Sequence, residues 1–443
     1  MAAAAGAAAA VAAAGEPIVE VLDALELASL VRRTPTLDGA VPLRAAQACV
    51  PLLEGNAYGL HVRLSRALVL ERRLGRAPRV RAEDPRVDER LSAARKAALP
   101  RLVAQGLVSP AWARAFERSL AFEQGGVLHV FTGLLVRPPA GAWLRVGTSA
   151  NRRSTFYDLD EVFVPDEGGF VPLVLSLRPR VAGPLRLDAE VATLSCVVPD
   201  RAAEAGPLTR AAAEAHATFY DAAYFAHKKG QSTRKYRKLA PDRARAAEDD
   251  GRPIRVVEAG PVAYALARRD RVLSAHAATP GRSASGGVTA IDFLPLLPFE
   301  AAWDGLSLTL SYDRAELATK ARALEEAWAS TLGRAFVDEH RGALLYLTKY
   351  FTQHPPGEPH FFVKPWAFVH TPPGWSSLVD GPLGEGFEVM RGVVQTDWFH
   401  AAPAVFRVFA ARSRVGMRAP IVSVLPFPRS LASPSARAVG WPA

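Results

Sequence analysis

Leu134-Leu135-Val136-Arg137-Pro138-Pro139-Ala140-Gly141-Ala142-Trp143 in the first half of the chain and Ala367-Phe368-Val369-His370-Thr371-Pro372-Pro373-Gly374-Trp375 in the second share one punctuation. Each is an apolar run that ends at a proline pair, passes a glycine and restarts at a tryptophan. Proline fixes φ and glycine admits positive φ, so both stretches predict a strand, a tight turn and a new strand.

Working outward, the agreement continues on both sides. Downstream, Glu161-Val162-Phe163-Val164-Pro165-Asp166 leads into an alternating run from Phe170 to Leu177, and Gly392-Val393-Val394-Gln395-Thr396-Asp397 leads into Val405 to Phe409. Apolar strings ending in proline close both halves, Ala192 to Pro199 and Ile421 to Pro426. Upstream, Gly59-Leu60-His61-Val62-Arg63-Leu64 follows Pro51-Leu52-Leu53, and Gly305-Leu306-Ser307-Leu308-Thr309-Leu310 follows Pro295-Leu296-Leu297. Period-two alternation is the mark of half-buried strands. The landmark pairs are Gly59 with Gly305, Pro139 with Pro373, Asp166 with Asp397 and Pro199 with Pro426. They predict two diverged copies of one mainly β domain.

Helical sequence interrupts each copy, giving an α+β whole. Leu317, Ala321, Leu324, Trp328, Leu332 and Phe336 recur at three- and four-residue steps, one stripe of a helix running to Glu339. In the first copy Ser109-Pro110 offers N-cap and N1 chemistry ahead of Trp112. The expected division is a disordered or partly helical tail over 1–39, a first copy over 40–204 with a helical insert at about 85–120, a helical, basic connector and flexible linker over 205–290, a second copy over 291–430 with an insert at about 313–348, and a tail over 431–443.

Composition bounds the class. The 443 residues are 49% hydrophobic, enough for real cores, and Cys49 and Cys196 are the only cysteines, which excludes a disulfide scaffold. The alanine run Ala2 to Ala14 lacks the basic start of a signal peptide, and no long uncharged apolar stretch follows, so a cytoplasmic chain with no membrane association is expected. The net charge of +10 is mostly arginine and does not by itself name a polyanionic partner. No Walker, dinucleotide-binding or nucleophile-elbow motif is present.

On these landmarks the sequence resembles the β-clip fold of the dUTPase and dCTP deaminase group, with Gly392-Val393-Val394-Gln395-Thr396-Asp397-Trp398 the nearest match to that group's Gly-Val-Ile-Asp-x-Asp-Tyr string. The second copy also resembles a bacterial domain of unknown function carrying Thr-Pro-Pro-Gly-Trp, Gly-Pro and Val-x-Thr-Asp-Trp motifs. The resemblance implies a carboxylate that activates water and a hydroxyl-rich turn that holds phosphates. The carboxylate position is Gln395 in one copy and Val164 in the other, and neither side chain is a general base. The turn Val146-Gly147-Thr148-Ser149-Ala150-Asn151-Arg152-Arg153 keeps hydroxyls and arginines, whereas Val379-Asp380-Gly381-Pro382-Leu383 does not. The implied site is therefore degenerate.

The ligand-binding candidates are Asp397, Trp375, Trp398, Asp166, Ser149, Arg152 and Arg153. Asp166 and Asp397 also suit Asx turns, and Trp366, Trp375, Trp398, Phe361, Phe362 and Phe368 suit core packing as well as a pocket. Lys228, Lys229, Arg234, Lys235, Arg237 and Lys238, with Tyr236 among them, offer a phosphate or nucleic-acid grip, although an exposed solvated run has the same composition. His354, Glu358, His360, His370 and His400 raise a divalent metal as an alternative, but His354 to His360 is proline-rich loop sequence without strand-spaced ligand pairs, so no cofactor is expected. The expected partner is a small molecule or a protein, with a homo-oligomer as a further option. Three functions are thus open: a binding protein with a degenerate nucleotide site, a metal- or nucleotide-dependent enzyme of hydrolase or oxygenase type, and a self-assembling structural protein.

Overall fold

Alternating apolar strings become sheets only when they pair at long range, and the pairing repeats between the two halves. The computed structural model describes residues 17–33, 50–73, 76–151, 154, 156–217, 249–353, 357–381, 384 and 386–441. It is mainly β with helical insertions.

Five strands of the first half lie side by side in the order Ala28–Val31, Leu60–Leu64, Glu190–Val197, Trp143–Gly147, Val162–Val164, every neighbour antiparallel. Five of the second half repeat that order and sense: Tyr264–Arg269, Val288–Phe293, Val422–Pro428, Trp375–Asp380, Gly392–Val394. A small sheet recurs too, Leu185–Arg186 with Leu68–Arg73 and Arg76–Ala82 in one half, Ser413–Val415 with Phe299–Trp303 and Leu308–Tyr312 in the other. The long strand Val127–Arg137 has its counterpart in two pieces, His360–Val363 and Ala367–His370, separated where Pro365 supplies no N–H to a ladder.

The copies complete one another. After its closing strand, the first half sends Ala203–Pro207 to pair parallel with Ile254–Glu258 at the start of the second. The second half returns the exchange: Ser435–Ala438 pairs parallel with Ile18–Asp23 at the start of the first. A second exchange runs between the large sheets. The hairpin Arg271–Ser274 and Ala277–Arg282 extends the first half's sheet through Phe163 and Val272. In return the helix Val50–Ala57 lies on the strand Gly392–Val394, so close that a Cβ on Gly55 would sit 2.4 Å from the Arg391 carbonyl oxygen.

Several expectations change. Residues 1–16 lie outside the described residues, but Ile18–Asp23 and Ala28–Val31 are strands where a tail was expected, because the alternation Ile18-Val19-Glu20-Val21 finds partners on both sides. Residues 254–282 form four strands rather than connector and linker, and Ser435–Ala438 is a strand rather than a tail. Gly59 and Gly305 are not equivalent. Leu60–Leu64 pairs with its closing strand as Val288–Phe293 does, while Leu308–Tyr312 belongs to the small sheet. The closing strands do correspond, but Trp143 opposes Val197 and Trp375 opposes Pro428, so Pro426 matches Ser195 and not Pro199. Local alternation is the same in any strand and cannot fix which partner it takes.

The inserts are helical as expected, but the helix expected to run to Glu339 ends at Leu332, because Gly333 at φ 90° breaks it and Arg334–Glu339 forms a separate helix. Ser109 caps Pro110–Phe116 by accepting the Trp112 N–H at 3.1 Å. Asp313 caps Arg314–Leu332, whose Leu324 and Trp328 are fully buried, and the Trp328 indole donates to the Ala259 carbonyl at 2.8 Å. No helix among the described residues is long and apolar enough to cross a membrane.

Candidate functional site: a charged cleft between the copies

The two large sheets meet face to face. Trp143, Phe163 and Val197 of the first half and Ala290, Leu378, Val393, Leu425 and Phe427 of the second form one buried cluster, with the Tyr58 ring 4.6 Å from that of Phe427. Residues two apart on a strand share a face. Arg145 therefore faces the other copy beside Trp143, as do Glu161 beside Phe163, Asp292 beside Ala290, Asp380 beside Leu378, Arg391 beside Val393 and Ser423 beside Leu425. The same alternation that builds the apolar centre of this interface thus makes one end of it charged.

There the side chains lock into ion pairs, of which Arg145–Asp380 and Arg271–Asp160 cross between the halves. Arg145 donates to Asp380 at 3.1 Å and also contacts Glu161. Arg391, fully buried, donates to Asp380 at 3.1 Å and to the Thr148 carbonyl at 2.9 Å, and its N–H reaches Asn151 at 2.8 Å. Arg269 grips Asp292 at 2.7 and 2.8 Å, Ser423 donates to Asp292 at 2.8 Å, and Arg271 donates to Asp160 at 2.8 Å. Burial opposes ionisation of Asp380, but Arg391 and Arg145 outweigh it and hold the carboxyl below its ordinary range. Burial likewise opposes the charge on Arg145, and Glu161 and Asp380 outweigh it, raising its pKa. For Arg391 burial is the largest influence and its pKa falls. For Asp160 burial is outweighed by bonds from Arg178 and Arg271, and its pKa falls as well. Such buried pairs contribute little net stability, yet removing one partner costs several kcal/mol, so they fix the register of copy against copy. Between them opens a cavity of about 660 Å³, whose wall also includes Leu159, Phe163 and Pro420.

The residues singled out in the sequence lie elsewhere. Asp397 and Trp375 are brought together by Arg429, which bonds the Asp397 carboxylate at 2.8 and 2.5 Å and the Trp375 carbonyl at 2.6 Å. Asp397 also accepts the N–H of Gly374, which sits at φ 78°, at 3.0 Å. Asp166 does the same for Gly141, at φ 71°, at 2.9 Å, and closes an Asx turn on Gly168. Trp398 donates its indole N–H to Gln395 at 2.8 Å, and Ser149 donates to the Glu190 carbonyl at 2.9 Å. Trp366, Phe361 and Phe368 are fully buried. From the hydroxyl-bearing turn, Gly147 and Thr148 reach the cleft wall. Arg152, Arg153, the basic run 227–238 and His354 lie outside the described residues.

The remaining histidines are packed rather than gathered. His360 is fully buried in its strand, and the His370 and His400 rings stack with centroids 3.7 Å apart. His400 bonds the Thr396 carbonyl through Nδ1 at 3.0 Å. Burial, with smaller contributions from His400 and Arg255, lowers the His370 pKa to about 3. Among the described residues no group of three His, Cys, Asp or Glu side chains is arranged to hold a metal ion.

Sequence reasoning passed over Arg145, Glu161, Arg269, Arg271, Asp292, Asp380 and Ser423. A signal was present: single charges inside otherwise apolar strands, as in Trp143-Leu144-Arg145-Val146-Gly147 and Val288-Thr289-Ala290-Ile291-Asp292-Phe293. Buried charges of this kind need partners: Arg145 finds Asp380 in the other copy, and Asp292 finds Arg269 on the neighbouring strand of its own.

No protein-family model matches the chain, and no curated protein does. Among solved structures it is similar to the 2'-deoxycytidine 5'-triphosphate deaminase of Agrobacterium tumefaciens, at 12% identity over 84% of this chain and 88% of that one, with a TM-score of 0.24. That degree of likeness carries no argument about activity, and the reading of function rests on the cleft.

Proposed function

We propose that the chain is a binding protein whose ligand occupies the cleft between the copies and whose nucleotide site, of the kind the sequence resembles, is degenerate. The observation that carries this reading is the cleft itself: a cavity of about 660 Å³ within the size range of small-molecule sites, walled by side chains that two distant parts of the chain hold rigid. Degeneracy is supported by the residues at the carboxylate position. Gln395 accepts a bond from Trp398, and Val164 is buried in a sheet. The buried carboxylate of the wall, Asp380, is held ionised by two arginines, which makes it a weak base at neutral pH.

Two measurements test the reading. Purified chain incubated with dUTP or dCTP and Mg²⁺ releases no pyrophosphate above the protein-free blank; sustained turnover would overturn the degenerate site. Soaking crystals with small polar solutes places density in the cleft beside Arg269 and Asp292; occupancy only elsewhere on the protein would overturn the assignment of the cleft.

A further inference from the structure

The cleft wall has an unusual charge balance. Four arginines face five carboxylates, and none of the four arginines is left over. Arg145, Arg269 and Arg271 are engaged as described above, and the fourth, Arg268, is bonded to Asp200 at 3.4 Å. Of the carboxylates not yet mentioned, Asp158 contacts Arg180, and Asp270 lies 3.8 Å from Arg282.

A polyanion needs cations or backbone N–H groups in excess, because it must be compensated without stripping carboxylates of their own partners. This wall offers no such excess, because its arginines and carboxylates are already paired with one another or with charges just behind them. A purely cationic ligand would meet four fixed guanidinium groups. The arrangement suits a molecule that presents both signs: an ammonium can lie against the carboxylates while a carboxylate lies against the guanidinium edges, and each ion pair of the wall is then extended rather than broken. Arg269 is the guanidinium placed for this, since its side chain is 34% exposed at the wall while one end of it stays on Asp292. Leu159, Phe163 and Pro420 add an apolar surface for an uncharged side group.

We infer that the cleft takes a zwitterion of amino-acid to short-peptide size and rejects polyphosphates and polycarboxylates. This rests on the cleft being the binding site, as proposed above. The test is equilibrium dialysis of the full chain against an equimolar mixture of the twenty protein amino acids, glycylleucine, ATP and citrate, with each solute quantified by mass spectrometry on both sides. One or more zwitterions are expected to be retained at least tenfold over the protein-free control, and Arg269→Gln or Asp270→Asn is expected to abolish that retention. Circular dichroism of both variants checks that they fold, and either folded variant suffices. Retention of ATP or citrate that Arg269→Gln abolishes would overturn the zwitterion while leaving the cleft as the binding site. Retention of nothing, or retention indifferent to both substitutions, would overturn the two readings together.

Discussion

Asp166 and Asp397 show how little a single residue reveals about its task. Both carboxylates accept the N–H of a glycine at positive φ, and this bond holds the turn that launches Trp143 in one copy and Trp375 in the other. Their surroundings then diverge. Asp397 is nearly buried and paired with Arg429, whereas the bonds of Asp166 are at the surface. Asp397→Ala should therefore cost about 3 kcal/mol, since it orphans a largely buried guanidinium, and Asp166→Ala about 1 kcal/mol. Urea denaturation of the two variants measures both, and equal losses would contradict this account. The turn was legible in the sequence because proline, glycine and aspartate act locally. The cleft was not, because Arg145 finds Asp380 across 235 positions. The apolar residues around Arg145 signal that it needs a partner, but nothing near it in the chain says which residue that is.

At the scale of elements, contact between the copies is decided by close approach and by buried polar groups. The helix Val50–Ala57 can lie on the strand Gly392–Val394 only because residue 55 has no side chain. Gly55→Ala would raise helix propensity by about 1 kcal/mol. The added Cβ, 2.4 Å from a backbone oxygen that cannot swing away, forces the helix off at a cost toward the upper end of about 1–3 kcal/mol, so the net effect is a loss of up to about 2 kcal/mol. Thermal melting reads the sign.

Histidines add a pH dependence. Burial lowers the pKa of His216 and His370 to about 3 and that of His129 to about 4, while burial raises Glu54 to about 7 against the pull of Arg429. A histidine depressed on folding stabilises above its unfolded pKa of about 6.5, and that stability is lost as pH falls toward the folded value. Glu54, raised on folding, acts oppositely between pH 4.5 and about 7. Three histidines against one glutamate leave a net uptake of about two protons on unfolding, so stability should fall by roughly 2–3 kcal/mol per pH unit between pH 6 and 4.5. Urea titrations across that range check it, and a flat or rising profile would contradict the assignment.

Element identity was also where sequence reading went astray. Leu60–Leu64 and Leu308–Tyr312 alternate alike, and only their partners distinguish a strand of the large sheet from one of the small. The short strands Ile18–Asp23 and Ser435–Ala438 were missed for the related reason that each is stabilised by the other. The helical inserts were read well, since caps and a 3.6-residue stripe are local signals.

For the whole molecule, the consequence of reciprocal exchange is that neither copy is complete without the other. Ala203–Pro207 and Ser435–Ala438 each close a sheet in the opposite half, and the cleft draws its wall from both. Two fused but independent domains would unfold separately, the less stable one first. Interlocked copies lose their shared sheets, interface cluster and ion pairs together. Differential scanning calorimetry of the full chain tests this most directly. One endotherm is expected, with calorimetric and van't Hoff enthalpies that agree. Two resolved transitions, each carrying about half the heat, would contradict it.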